Sequence, residues 1–452
     1  MRITVINGSP KGKDSITLQT VLYLEKMFPE CSFRMIHAGQ KIRMYEKDFN
    51  ACREELEKAD LILFSYPVYT FLVPAQLHRF IELIRENHVD LQGKYATQIT
   101  TSKHFYDVTA HAFIRENCMD LGMRWLNGLS ADMSDLLNKK GQKEAQDYFR
   151  FIIWQMERGI YESAPKPHET SPLRKTNTEV PLNAEKRPGM VMIVTDYDPG
   201  DPDSVPLVNM IRRFQNRISR ETDVVNLREF SFAGGCLGCF NCAATGACIY
   251  RDGFDSLLRD RIQKADAIVY AYSIRDHSMG YRFKLYDDRQ FCNGHRTVTM
   301  GDPQGYLVHG KLSAESNLKT VMEARAQVGG NYLCGIACDE EDPDTEIDRL
   351  AERLDYVIDV HYTQPKNFYG VGGLKIFRDL IWQMQGLMQE DHRFYKKHGF
   401  YDFPQKKKGT ILGMYAVGTM MKNKKLNRKM RGKMTEGMIL PYRNIIRKAG
   451  KK

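Results

Sequence analysis

No stretch of this 452-residue chain strings together the roughly 18 apolar residues that a membrane-spanning helix needs. The opening MRITVINGSP enters a strand pattern almost at once, and the expectation is that no secretory leader precedes it. With ten cysteines and no such leader, the expectation is reduced thiols in a cytoplasmic setting, where clustered cysteines favour metal or redox work over structural disulfides. The turn after the first apolar run is neither a Walker loop nor a G-x-G-x-x-G, which disfavours ATP and a dinucleotide fingerprint. Acids are scarce at one end only. Residues 391–452 carry eighteen Lys and Arg against Asp391, Asp402 and Glu436, a net +15 in a chain whose total is +10, so the other residues sum to −5. No nucleic-acid reader motif accompanies that basic segment.

What the chain does have is alternation. ITVINGS, ADLILFSYPVY and KYATQITTS are strand-like runs, separated by the helical patterns SITLQTVLYLEKMF and PAQLHRFIELIREN. Strands alternating with helices predict parallel pairing in a doubly wound α/β sheet. Residues 164–187 (APKPHETSPLRKTNTEVPLNAEKR) are Pro-rich and polar, and predict a linker. The alternation then restarts with GMVMIVTD and runs on through TDVVNLREF, ADAIVYAYS, RTVTMGD and NYLCGIACD. KADLILFSY at 58–66 matches KADAIVYAY at 264–272, and FRFIIWQM at 149–156 matches FRDLIWQM at 377–384. The second pair holds two of the chain's three tryptophans and reads as a core helix packed alike in two copies. These matches predict a tandem duplication, residues 1–163 and 188–390, followed by the basic extension 391–452.

Ligands of doubly wound sheets sit beyond the carboxyl ends of the strands, where strand order reverses. In the first copy, GSPKGKDSIT offers Ser9, Ser15 and Thr17 as hydroxyl donors and Lys11 and Lys13 as charges. The N-terminus of the helix that follows, with Ile16 among the cradle's residues, adds free N–H groups and completes a cradle for a terminal phosphate. SYPVYTF bends at Pro67. Val68, Tyr69 and Thr70 can offer backbone N–H groups to the rim of a planar ring, with Tyr69 and Phe71 as stacking walls. Thr101, Ser102, Lys103, His104 and Tyr106 supply the remaining polar edge. A phosphate cradle beside an aromatic slot describes flavin mononucleotide (FMN). On GSPKGKDSIT and SYPVY, this copy resembles the flavodoxin-like NAD(P)H-dependent FMN reductases. The resemblance implies a strand order 2-1-3-4-5, hydride transfer from NAD(P)H to FMN, and a quinone-like or small aromatic electron acceptor, with no catalytic side chain strictly required.

The second copy is rewritten at the same loops. DYDPGDPDSVP sets Asp196, Asp198, Asp201 and Asp203 where the cradle should be, and four carboxylates repel a phosphate. This predicts a degenerate flavin site. The copy carries instead Cys236, Cys239, Cys242 and Cys248 in C-x-x-C-x-x-C-x5-C spacing. Such a set suits an iron–sulfur cube, a tetrahedral zinc, or free redox-active thiols. The stretch resembles the iron–sulfur flavoproteins, in which a cysteine loop holds a [4Fe–4S] cluster beside FMN, and equally the FMN reductases that carry similar cysteines. Cys31, Cys52, Cys118 and Cys292 stand alone, Cys334 and Cys338 read as buried small residues, and GVGGLK at 370–375 reads as a loop.

The losses are complementary, since each copy keeps what the other lacks. They predict that the second copy packs over the first copy's flavin in an intrachain pseudo-dimer, bringing the cysteine loop to the ring edge; further pairing into a homodimer stays open. The alternative function is an iron–sulfur flavoprotein electron carrier serving a redox protein partner, or a non-catalytic scaffold. In the basic extension, thirteen mostly apolar residues between lysine clusters (409–421) fit a docked helix, a membrane-surface contact or a patch for an acidic partner.

Overall fold

The computed structural model describes residues 1–164, 172–422, 425, 439–440, 442–443 and 445–447. Met1–Phe394 form one compact unit and Tyr395–Lys452 a second. In the second, helix Lys408–Lys422 leaves Leu412, Met414 and Tyr415 exposed.

The first unit contains two parallel sheets. Strands β1 (Arg2–Asn7), β2 (Ser32–Ile36), β3 (Leu61–Pro67), β4 (Tyr95–Ser102), β5 (Arg124–Trp125) and β6 (Leu129–Asp132) form the first, in order β2-β1-β3-β4-β5 with β6 also on β4. Strands β7 (Met190–Thr195), β8 (Glu221–Asn226), β9 (Ala267–Ser273), β10 (Pro303–His309) and β11 (Tyr332–Cys338) form the second, in order β8-β7-β9-β10-β11. The two orders are the same flavodoxin-like topology. The inner strands are apolar on both faces because helices cover both sides: Ile3, Val5, Ile6 and Leu61 to Leu63 are fully buried.

Three expectations shift. RTVTMGD is not a strand; residues 296–302 turn, with Gly301 at φ +100°, and pairing begins at Pro303, the first strand position where proline is tolerated. GVGGLK lies inside helix Phe368–Gln383, where its glycines permit close approach: a Cβ on Gly373 would lie 2.6 Å from Val328 and 3.0 Å from Phe105. The tryptophans of the repeated motif point outward, 41% and 43% exposed, while Phe149, Ile152 and Ile381 carry the packing. Of the linker, residues 165–171 lie outside the described residues. Beyond them the chain is tied to the second half, with Arg174 donating to the Asp339 carbonyl at 2.7 Å and Arg187 to that of Ser219 at 2.7 Å.

The halves meet through helices Ala75–Glu86 and Gly280–Arg289, and a single apolar core runs through Phe71, Phe80, Tyr270, Phe283 and Tyr286. Two polar clasps cross this contact. Lys284 and Asp288, both fully buried, pair one helical turn apart and reach into the loop after β3. Asp288 accepts from Thr70 Oγ1 (2.5 Å) and the Ala75 amide (2.7 Å), while Lys284 Nζ donates to the Tyr69 carbonyl (3.1 Å). The second clasp is His277, between Asp120 of the first half (2.9 Å) and Glu315 (3.1 Å).

Each clasp yields a prediction. Removing one charge of the buried pair strands the other, so Asp288→Leu or Lys284→Met should cost about 3–5 kcal/mol in urea unfolding, and the double replacement should cost less than either single change. At His277, burial alone would lower the imidazole pKa, but the bonds to Asp120 and Glu315 outweigh it and raise it from 6.5 to about 10. A raised folded-state pKa stabilises fully below the unfolded value and ceases to do so above the folded one. Between pH 6.5 and about 10, unfolding free energy should therefore fall more steeply in the wild type than in His277→Gln.

Candidate functional site

Strand order in the first sheet reverses between β1 and β3, so the crevice beyond their carboxyl ends is where a ligand belongs. The loop after β1 is organised by Asn7, fully buried at the strand end. Its Nδ2 donates to the Gly12 carbonyl (2.8 Å) and its Oδ1 accepts from the Ser9 amide (3.2 Å). Gly12, at φ +56°, closes the turn, and Ser15 caps helix Ile16–Met27 by accepting from the Leu18 amide. The first amides of that helix have no partner within it, so they are offered to the crevice. Thr17 Oγ1 meets Thr101 Oγ1 at 2.6 Å and so ties this loop to the one after β4.

These loops line a cavity of about 230 Å³. Ser9, Lys11, Ser15, Ile16 and Thr17 contribute from the first loop, Pro67, Val68, Tyr69 and Thr70 from the second, and Thr101, Ser102 and Lys103 from the third. Lys103 spends its charge on Asp132, at 2.8 and 3.0 Å. Three expected residues lie elsewhere. Phe71 turns into the core, 3% exposed and 4.3 Å from the ring of Tyr106, with its backbone at φ +71°. Tyr106 is drawn away by donating to the Tyr369 carbonyl at 2.9 Å, and His104, half exposed, binds Asp107 at 3.0 Å. Lys13 is exposed and also lies outside.

The second half closes the cavity. Cys236, Cys239, Cys242 and Cys248 all line it. Gly238, at φ +60°, lies so close to Tyr69 that a Cβ there would sit 2.0 Å from the phenol oxygen, and Lys11 Nζ lies 5.7 Å from the centre of the Phe240 ring. Helix Gly280–Arg289 holds the cysteine loop from behind. Arg289, 1% exposed, donates to the Gly234 carbonyl (2.9 Å) and to both Asp252 oxygens (2.8 Å each) and lies over the Tyr250 ring. Burial opposes ionisation of Asp252, yet the Arg289 bonds prevail and hold its pKa at about 2. Burial also pushes the Cys236 thiol well up and that of Cys242 to about 11.

The sequence reading missed several members. Cys292, thought solitary, lines the cavity as a fifth thiol, with Phe291, His295, Phe377 and Leu380. Lys284 and Asp288 sit behind the loop after β3, and Arg289 both holds the cysteine loop and lines the cavity itself. Arg275 and His277 instead engage Asp201 (3.9 Å) and Asp120, respectively. At the second half's own switch point, between β7 and β9, Arg228 pairs with Asp198 at 3.2 Å, and burial raises Asp196 to about 6 against the nearby Arg275. Acids there present charge, not amide donors.

The lining suits FMN. Hydroxyl, ammonium and helix-terminal donors stand beside aromatic walls, and no carboxylate is among the lining residues. The four thiols of the cysteine loop line this one space, and a thiolate set of that kind suits an iron–sulfur cluster or zinc.

Residues 1–129 match the profile of the NADPH-dependent FMN reductases. A protein named iron-sulfur flavoprotein, from Archaeoglobus fulgidus, is 26% identical over 174 residues, which is 36% of this chain and 79% of that one. Among solved structures, a flavoenzyme NAD(P)H:(acceptor) oxidoreductase from Paracoccus denitrificans overlays at 18% identity and a TM-score of 0.29, over 34% of this chain and 95% of its own. An NAD(P)H:quinone oxidoreductase from Methanothermobacter marburgensis overlays at 14% identity and a TM-score of 0.29, over 40% of this chain and 99% of its own. The match covers residues 1–129, and over that stretch the chain is similar to the NADPH-dependent FMN reductases.

Proposed function

We propose that the protein is an FMN-dependent oxidoreductase that draws hydride from NAD(P)H and passes electrons to a quinone-like or small aromatic acceptor, or to a redox centre on the cysteine loop. The supporting observation is the shared cavity, in which the cradle after β1, the ring slot after β3 and all four cysteines line one space. FMN, when bound, supplies two-electron acceptance and one-electron release. The chain supplies the rest. Ser9, Ser15, Thr17 and the amide at Ile16 would take the phosphate, with Lys11 neutralising its charge. Val68, Tyr69 and Thr70 would border the ring, braced from behind by Lys284 and Asp288. Phe240, Phe291 and Phe377, from the other half, would exclude water.

A second reading, an electron carrier, is favoured by the same cysteines and by the Archaeoglobus relative's name. Here Cys236, Cys239, Cys242 and Cys248 would ligate a [4Fe–4S] cluster, and electrons would leave to a protein partner. The basic segment 391–452 would attract an acidic one.

Two measurements test these readings. Thr17→Val removes a cradle hydroxyl and its tie to Thr101, so fluorescence titration should show FMN binding weakened at least about tenfold, roughly 1.4 kcal/mol; unchanged affinity would refute the cradle assignment. An anaerobic absorbance spectrum with iron analysis should show flavin bands and about four iron per chain, with Cys242→Ser losing iron but keeping flavin. Iron-free yellow protein whose colour NAD(P)H bleaches would leave the reductase and remove the cluster.

A further inference from the structure

A second cavity, of about 150 Å³, is built mostly from the second half, with Thr70, Phe71 and Phe105 of the first half also lining it. Its floor is the sheet, through Tyr270 and Tyr272 of β9 and Tyr306 of β10, and its roof includes Phe283, Tyr286 and Asp287 of helix Gly280–Arg289. Ile268 and Gln304, near the strand starts, also line it, so it sits against a face of the sheet and not at the carboxyl ends where the flavin site lies.

The first half shows what this space ordinarily contains. KADLILFSY and KADAIVYAY occupy corresponding strands, so Tyr66 corresponds to Tyr272 and Phe64 to Tyr270. Gln98 stands opposite Phe64 as Tyr306 stands opposite Tyr270. In the first half, Tyr66 donates to Gln98 Oε1 at 2.5 Å, and its hydroxyl lies 3.1 Å from the Ala110 carbonyl. In the second half the glutamine has become Tyr306, and the Tyr272 hydroxyl, fully buried, has no hydrogen-bond partner. The Tyr286 hydroxyl, Thr297 Oγ1 and Asp287 Oδ2, on residues lining the same cavity, also lack a hydrogen bond, although Asp287 Oδ2 lies 3.8 Å from Lys284 Nζ. Buried polar groups are almost always satisfied. Four buried polar atoms without a hydrogen bond around one hollow therefore point to an occupant.

We propose that this cavity binds a neutral single-ring aromatic molecule bearing hydroxyl or oxo groups, of the phenol or hydroxyquinone class. The volume is that of one ring, since an apolar cavity of about 150 Å³ accepts benzene. The walls are aromatic faces and edges, which pack against a ring. Tyr272 donates to a ligand oxygen, and Asp287 Oδ2 accepts from a ligand hydroxyl while its Oδ1 is held by Arg325. A purely apolar ring would leave the polar atoms stranded, and a carboxylate would face Asp287, because the lining guanidinium groups of Arg325 and Arg296 are already paired with Asp287 and Asp391. Phe291, His295 and Phe377 are shared with the first cavity, so the bound ring rests against the wall of the flavin site, although the assignment does not rest on the flavin reading.

Anaerobic calorimetric titration of the full chain with hydroquinone tests this, with benzene and benzoate as comparison ligands. Hydroquinone should bind one to one and more tightly than either. Tyr272→Phe should weaken hydroquinone at least tenfold while raising the melting temperature of the ligand-free protein, because it deletes an unpaired buried hydroxyl. Ile268→Phe, which fills the space, should abolish binding; should that variant not fold, Tyr272→Phe decides alone. No saturable binding, an affinity unchanged in Tyr272→Phe, or a crystal structure grown with hydroquinone that shows only ordered water in the cavity would overturn the proposal.

Discussion

Two opposite charges buried between the halves, Lys284 and Asp288, fix the rest of the site. Burying such a pair is costly unless every polar atom is met, and here the loop after β3 meets them, through the Thr70 hydroxyl, the Tyr69 carbonyl and the Ala75 amide. The loop gains in return. Thr70 and Phe71 lie at φ +40° and +71°, a region uncommon for residues other than glycine and disfavoured for a β-branched one, and they stay there because the surroundings over-determine them. Pair and loop each make the other tenable. The second half is thus part of the first half's site.

The next residue on that helix extends the logic. Arg289, stacked on Tyr250 and bound to Asp252 and the Gly234 carbonyl, carries the cysteine loop. One rigid helix therefore sets both the ring slot and the thiols, and glycine at 238 lets them touch. Two halves of like topology, one with the hydroxyl-lined loop and one with the cysteine loop, form a composite cavity that neither lines alone.

Local features were legible in the sequence. The hydroxyls and lysine of GSPKGKDSIT, the bend at Pro67 and the cysteine spacing each carry their chemistry within a dozen residues. What acts across some two hundred residues was not. Lys284 and Asp288, four apart on a helix, look like a solvated surface pair until the partner helix is seen to cover them. Cys292 carries no spacing signal linking it to the other thiols. Asn7 works through its neighbours' amides, a role that composition does not reveal. Phe71, His104 and Tyr106 fall outside the cavity because they are engaged elsewhere, Phe71 against the Tyr106 ring, Tyr106 with the Tyr369 carbonyl and His104 with Asp107, and no local pattern signals those partners. The strand SFRMI was hidden by its place at the sheet edge, where half of its residues meet solvent.

The most direct test is a crystal structure of the full chain grown with FMN. The account predicts the phosphate against Ser9, Ser15 and the start of helix Ile16–Met27, with the ring between Tyr69 and the loop carrying Cys236 to Cys248. Flavin bound at Asp196–Asp203 in the second half, or a cavity that excludes it, would contradict the account.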